Sequence, residues 1–157
     1  MGPIGPERLG QLFDEHARAL ALYARQWCDD PEDVVQDAFV ALARQRPLPD
    51  RVLPWLYRTV RNAAISASRR ECRRSRREER VASDGLSFAE ADDRIDAASA
   101  SRLLEELDGE TREVIVARIW GGLTFEEIAR LQGCSLTTAH RRYQAGLSWL
   151  QERLGTS

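Results

Sequence analysis

The stretch from Leu123 to Leu154, LTFEEIARLQGCSLTTAHRRYQAGLSWLQERL, places the strongest constraint on the fold. Thr124 precedes a short apolar run and Glu127 follows three residues later. That is the spacing of a capping box, in which each side chain satisfies a free backbone N–H at a helix start. Ile128, Ala129 and Leu131 supply a buried face, and Gly133 breaks the helix where a positive φ is called for. Ser135 is placed to cap a second helix with the ladder Leu136, Ala139, Tyr143, Leu147, Leu150 and Leu154. Two helices joined by a short Gly-containing turn form a helix-turn-helix. The small Ala129 is expected to let the two helices cross closely. The N-terminal half of the second helix of such a unit enters the major groove. Here it carries Thr137, Thr138, His140, Arg141 and Arg142, all able to meet phosphates or base edges. The same pattern also suits a plain helical hairpin with a solvated polar face.

The chain of 157 residues is long enough for one ordinary domain or two small helical ones. Its net charge of −2 argues against a nucleic-acid partner until the distribution is read. All 23 basic residues are Arg. Residues 1–43 hold 3 Arg and 8 acids, whereas residues 44–80 hold 12 Arg and 4 acids. Residues 81–113 hold 3 Arg and 10 acids, and residues 114–157 hold 5 Arg and 3 acids. A basic binding surface flanked by acidic segments is the simplest account. Cys28, Cys72 and Cys134 lie far apart and form no CxxC pair, so neither a metal site nor a disulfide framework is expected. No apolar stretch approaches the roughly 18 residues of a membrane span, and MGPIGPERLG lacks a signal-peptide core. A cytoplasmic protein without membrane insertion and without a cofactor is expected.

From Glu7 to Cys28 the residues Leu9, Leu12, Phe13, Leu20, Tyr23, Ala24 and Trp27 describe an amphipathic helix. Asp30 can cap the next helix, Pro31 suits its first position, and Glu32 and Asp33 favour its positive end. Val35, Ala38, Phe39 and Leu42 form its buried stripe, leaving Val34, Gln36, Asp37 and Val40 on other faces. That remainder suits a partner surface and a solvated face equally. Pro47 and Pro49 mark a loop over residues 44–53, and Pro54 is expected to open a third helix. Leu56, Val60, Ala63 and Ala67 make its core face. Trp55, Arg58, Asn62, Ser66 and Arg69 form a second stripe of aromatic, guanidinium, amide and hydroxyl groups. An aromatic can stack on an unpaired base, Arg can hold phosphate and Asn can bond a base edge. The alternative puts Trp55 in the core and the rest in solvent. RRECRRSRREER, residues 69–80, continues that stripe and would bind a phosphate backbone in a salt-dependent way.

Residues 81–95 read as an acidic, flexible linker. A helix resumes from Asp96 to Leu107, and Asp108-Gly109 breaks it. Glu110 starts another helix, through Val114, Ile115, Ala117, Arg118 and Ile119 to Trp120, and Gly121-Gly122 stops it. No strand alternation and no internal repeat is present. The expected fold is all-α: two small helical bundles, 1–80 and 96–157, joined by the linker, the second containing the helix-turn-helix.

Three segments in this order resemble the extracytoplasmic-function (ECF) sigma factors of bacterial RNA polymerase. PEDVVQDAFVALARQ, residues 31–45, resembles the helix that docks on the polymerase core. PWLYRTVRNAAISASRR, residues 54–70, resembles the element that opens and reads the minus-ten promoter element. Residues 110–154 resemble the domain that reads the minus-thirty-five element. The ordered triple is far more specific than one helix-turn-helix. The resemblance implies a core-polymerase contact through Gln36, Asp37, Phe39 and Val40. It implies minus-ten contacts from Trp55, Arg58, Arg61, Asn62, Ser66, Arg69 and Arg70. It implies minus-thirty-five contacts from Thr138, His140, Arg141, Arg142 and Gln144. Family members usually carry Lys or Arg where His140 stands, and often a basic residue near Ala145. The implied partners are core RNA polymerase and promoter DNA, and many members of the family are held by an anti-sigma factor, although no residue here identifies one.

Two other classes compete. A dimeric helix-turn-helix regulator would not explain why the strongest positive charge and the aromatic stripe lie in the other half. An enzyme would have only His16 and His140, with no nucleophile motif, Gly-rich phosphate loop or ligand cluster. The two-domain expectation is checked by limited proteolysis, which should cut first within residues 81–95. Uniform resistance there, with cleavage elsewhere, would count against the boundary.

Overall fold

A computed structural model describes residues 3–75 and 102–155. The chain divides into two compact units, Met1–Gly85 and Leu86–Ser157. Every regular element among the described residues is a helix. The expected linker 81–95, the end of the arginine run and the start of the helix at Asp96 lie outside the described residues.

The first unit packs three helices against one another: α1 (Pro6–Ala24), α2 (Pro31–Arg44) and α3 (Val52–Ser75). α1 ends at Ala24 rather than Cys28, and a turn follows in which Trp27 and Cys28 both donate backbone N–H to the Ala24 carbonyl. Pro31 takes the first position of α2, where its missing N–H costs nothing. Asp30 makes no side-chain capping bond, so the start of α2 rests on Pro31 and the acidic first turn of Glu32 and Asp33. α3 starts at Val52, ahead of Pro54, because proline is tolerated within a first turn.

The core of this unit joins Leu20, Tyr23 and Ala24 of α1, Val34, Val35, Ala38, Phe39 and Leu42 of α2, and Leu56, Tyr57, Val60 and Ala64 of α3. Val34 is buried, contrary to its expected place, because α2 packs on both α1 and α3 and so buries a wider arc. On α3, Tyr57 and Ala64 are fully buried while Ala63 and Ala67 are half-buried. The arc is turned toward Tyr57 by an edge-on contact with Tyr23, ring centroids 4.8 Å apart. The Tyr57 hydroxyl is buried with no hydrogen-bond partner among the described residues, and burial pushes its phenol above the ordinary value.

In the second unit residues 102–106 are helical, and Leu104 and Leu107 are buried. The Asp108 carboxylate then caps α4 (Gly109–Ile115), accepting the Thr111 N–H at 2.8 Å. Arg112 donates to the Leu107 carbonyl at 3.0 Å, which holds the preceding segment against α4. Burial pushes its guanidinium below the ordinary value, opposed by Glu105 and Asp108. α4 passes into a π turn, Val116–Trp120, which the sequence does not announce. A π turn shifts the helical phase. Val116 and Ala117 stay in the core while Ile119 and Trp120 turn outward, 48% and 41% exposed. Gly122, at φ 66°, turns the chain toward α5 (Phe125–Gln132) and α6 (Leu136–Gly155).

α6 buries Ala139, Gly146 and Leu150. Leu136 and Leu154, expected in its apolar ladder, are 50% and 56% exposed because they stand at its two ends. Ala129 is buried, and a close approach of another pair of helices, α4 and α6, occurs at Gly146. A Cβ there would lie 2.7 Å from Thr111 Cγ2 and 2.9 Å from Ile115 Cγ1, so α4 lies directly on the α6 backbone. Cys28 is buried and Cys134 half-buried, as plain small thiols.

Two substitutions test this packing. Tyr57→Phe removes a buried hydroxyl without a partner, so stability to urea should hold or rise by up to about 1 kcal/mol rather than fall. Gly146→Ala should destabilise by about 1–3 kcal/mol through overpacking, although Ala is worth roughly 1 kcal/mol over Gly in an open helix. A stabilised Gly146→Ala protein would show that α4 and α6 are not in close contact.

Candidate nucleic-acid interfaces

The helix-turn-helix is built from its backbone outward. The Thr124 N–H donates to Glu127 Oε1 at 2.9 Å, and the Glu127 N–H donates to Thr124 Oγ1 at 3.1 Å, completing the capping box. Gly133 has φ 66° and ψ 38°, and the Cys134 N–H behind it donates to the Ala129 carbonyl at 3.0 Å. This left-handed residue closes α5 and redirects the chain. Ser135 Oγ then accepts the Thr138 N–H at 3.1 Å and starts α6. Both caps and the glycine stand where the sequence places them.

The N-terminal half of α6 presents Thr137, His140, Arg141 and Gln144 to solvent. Their helical spacing puts them on one face. Arg141 has no partner among the described residues, so its guanidinium is available for a phosphate or a guanine edge. Thr138 is half-buried, its hydroxyl 2.9 Å from Ser135 Oγ. Arg142 is half-buried and turned inward, its Nη1 donating to Gln132 Oε1 at 2.9 Å. The resemblance groups Thr138, His140, Arg141, Arg142 and Gln144 together, whereas the structure separates exposed His140, Arg141 and Gln144 from half-buried Thr138 and Arg142.

An aromatic cluster under this face was not legible in the sequence. The His140 ring lies 4.6 Å from the Phe125 ring, and Tyr143 meets Phe125 edge-on at 5.2 Å. The Arg118 guanidinium lies over Phe125 at 4.6 Å and donates to the Leu123 carbonyl at 2.9 Å. Phe125 thus seats α6 on the turn before α5, and His140 gains a fixed ring position. Phe125 reads in sequence only as the first residue of a helix.

In the first unit, α3 carries the second face. Arg58, Asn62, Ser66, Arg69 and Arg70 are exposed, and Trp55 is half-buried at the start of the row. Arg58, Arg69 and Arg70 have no ion-pair partner among the described residues. An unpaired row of guanidinium groups on one helix is an electrostatic footprint for phosphate. Arg61 differs, being half-buried with its guanidinium 5.5 Å from the centre of the Trp27 ring. Trp27 in turn meets Tyr23 edge-on at 5.1 Å. The turn after α1 therefore brings a further indole to the flank of the α3 row. The apolar pattern had placed Trp27 within α1, and only tertiary contact reveals this role.

α2 leaves Gln36, Asp37 and Val40 exposed, Val40 by 48%. Phe39 is buried and packs edge-on against Phe13 at 5.1 Å. Its ring contributes the floor, rather than the rim, of a largely apolar groove between α1 and α2. The groove has a volume of about 530 Å³, and Leu9, Phe13, Gln36 and Val40 also line it. Phe13, one of the apolar positions of α1, is 37% exposed and so lies partly on this surface. No cluster that could hold a metal ion occurs among the described residues, and no helix among them is long and apolar enough to cross a membrane.

Residues 12–74 match the family described as sigma-70 region 2, and residues 98–150 match that described as sigma-70 region 4. Among characterised proteins, the chain is 31% identical over 152 residues to the RNA polymerase sigma factor CarQ of Myxococcus xanthus, covering 92% of this chain and 87% of CarQ. It is 28% identical to the RNA polymerase sigma factor NccH of Alcaligenes xylosoxydans xylosoxydans, covering 85% of this chain and 79% of NccH. Among solved structures, it is similar to sigma factor RpoE of Bartonella quintana, solved in complex with the anti-sigma factor NepR. That match has TM-score 0.67 and 24% identity, over 95% of this chain and 98% of RpoE. It is also similar to CnrH, solved with the cytosolic domain of CnrY, with TM-score 0.61 and 30% identity over 98% of this chain and 92% of CnrH.

Proposed function

The chain belongs to the ECF sigma factors of RNA polymerase, and we propose that its two units divide promoter recognition between duplex and unpaired DNA. As a sigma factor it binds RNA polymerase and directs promoter recognition and transcription initiation. The observation that carries the division of labour is the exposed row Arg58, Asn62, Ser66 and Arg69 on α3, beside half-buried Trp55. A basic row with an aromatic at one end suits a single strand, because stacking on an aromatic contributes about 1–3 kcal/mol per base. That is of the order of the unstacking cost of a flipped base. The minus-ten strand is its partner in this reading, held by Trp55, Arg58, Arg61, Asn62, Ser66, Arg69 and Arg70. The exposed face of α6 takes the minus-thirty-five duplex, with His140, Arg141 and Gln144 foremost.

The proposed domains are residues 1–80 for the core and minus-ten contacts, and 96–157 for the minus-thirty-five contact, with 81–95 as the joint. Joining two weak DNA contacts raises the effective concentration for the second. The acidic segments 1–43 and 81–113 disfavour indiscriminate DNA binding by the free protein. Gln36, Asp37 and Val40 dock on core polymerase, with Phe39 beneath them. The chain itself supplies no reaction chemistry: it acts in the cytoplasm as an initiation factor rather than as an enzyme. An anti-sigma partner is part of the reading: RpoE was solved with the anti-sigma factor NepR, and CnrH with the cytosolic domain of CnrY. A dimeric regulator would leave the α3 row without a task.

Two measurements test this division. Arg141→Ala should weaken closed-complex formation by about 1–3 kcal/mol and blunt the response to changes in the upstream element. Asn62→Ala should spare closed-complex binding and reduce strand opening, followed by permanganate reactivity in the minus-ten region. On a template with a pre-melted bubble the Asn62 variant should recover more activity than the Arg141 variant. Equal rescue of both, or of neither, overturns the division. Separately, Asp37→Arg combined with Gln36→Ala should weaken core binding with helicity unchanged. Undiminished core affinity would remove α2 from the core contact.

A further inference from the structure

The recognition helix is tied to the rest of its unit by a polar clamp that links three helices. Gln132, the last residue of α5, donates through Nε2 to the Glu110 carbonyl at 2.9 Å and to Glu113 Oε1 at 3.2 Å. Its Oε1 accepts from Arg142 Nη1 at 2.9 Å. Arg142 Nη2 pairs with the Glu110 carboxylate. Both ends of the Gln132 amide are therefore used, and the planar guanidinium of Arg142 bridges the end of α5 to the start of α4. Glu113 is 2% exposed, so its carboxylate sits within the unit and relies on such partners.

We infer that Arg142 is a positioning residue for promoter recognition, setting the pitch of α6, and does not itself contact the minus-thirty-five DNA. This rests on the reading of α6 as the minus-thirty-five element. For Arg142 to reach a phosphate it would have to release the Glu110 carboxylate and leave Gln132 Oε1 with only the weak Cys134 thiol donor at 3.9 Å. A broken ion pair and the loss of the amide oxygen's charge-assisted donor oppose that exchange. Arg141, the preceding residue, is exposed and carries no such commitment. Two adjacent arginines on one helix thus have opposite duties: one faces the groove, and the other fixes the angle at which the first arrives. The fork geometry matters, because a lysine ammonium in place of Arg142 presents no planar fork to span Gln132 and Glu110 together.

The test uses holoenzyme assembled from core polymerase and the full chain, binding duplex promoter DNA across a salt series. Arg141→Ala should lower the slope of log affinity against log salt by about one. Arg142→Ala should weaken binding about tenfold, in the range of couplings within one hydrogen-bond network, with the slope of the unsubstituted protein. Arg142→Lys should fail to restore affinity, although it keeps the charge. Gln132→Ala should weaken binding with an unchanged slope, and Arg142→Ala should add less than about threefold on top of it. Circular dichroism melts on each variant identify any that fail to fold, and Gln132→Ala leaves every charge in place should Arg142→Ala be among them. The inference is overturned if Arg142→Ala lowers the slope as Arg141→Ala does, if Arg142→Lys binds like the unsubstituted protein, or if Gln132→Ala has no effect. An Arg141→Ala protein indistinguishable from the unsubstituted one would instead overturn the reading of α6 on which the inference rests.

Discussion

The bare backbone of Gly146 against Thr111 and Ile115 sets the geometry of the DNA-reading unit. Any larger residue would hold α6 away from α4. One turn earlier on α6 stands Arg142, and beside Thr111 stands Glu110, so the same approach brings that ion pair within reach. Gln132 completes the bridge from α5. The exposed face of α6 is therefore aimed by contacts on its opposite side. Packing comes first, the polar clamp follows from it, and the orientation of Arg141 and Gln144 follows from the clamp. The Phe125 cluster secures the other flank, where His140 and Tyr143 meet one ring and Arg118 covers it.

The first unit solves a different problem with the same means. α3 must bury one side well enough to hold a row of unpaired arginines on the other. The buried arc of Leu56, Tyr57, Val60 and Ala64, with Tyr57 edge-on against Tyr23, supplies that anchorage. Arg58, Arg69 and Arg70 then face solvent without an ion pair among the described residues, and their charge stays available to phosphate. An acid beside each arginine would have tightened the free protein slightly and weakened the site. The acids are concentrated elsewhere in the chain, in residues 1–43 and 81–113. A nearly neutral total of −2 thus coexists with a strongly basic working surface.

The two faces differ in ways that suit their proposed substrates. The α6 face is short, polar and seated on a rigid turn with both caps made, which suits reading edges of a duplex of fixed shape. The α3 face is long and basic with indoles at its margins, Trp55 at its start and Trp27 over Arg61 on its flank. Such a face follows a strand whose bases are free to stack. The groove between α1 and α2 is apolar and carries Val40 and Phe13 at its margin, as a protein contact rather than a nucleic-acid contact would require.

By itself the sequence determined the all-α class, the helix-turn-helix with its capping box, left-handed Gly133 and Ser135 cap, and the two candidate DNA faces. These features are local. Each depends on residues within one or two turns, where spacing and side-chain chemistry leave few alternatives. Helix ends were less legible: α1 stops at Ala24 and α3 starts at Val52, because apolar periodicity runs on through turns and a first-turn proline does not mark the boundary. Tertiary structure alone decided what depends on a partner distant in sequence. It buried Val34 between two helices, turned Ile119 and Trp120 outward through a π turn, and set Trp27 against Arg61. It also separated Arg141 from Arg142. Adjacent, identical residues carry the same signal in a sequence, and only the position of Gln132 and Glu110 across the helix crossing makes one a surface group and the other part of the frame.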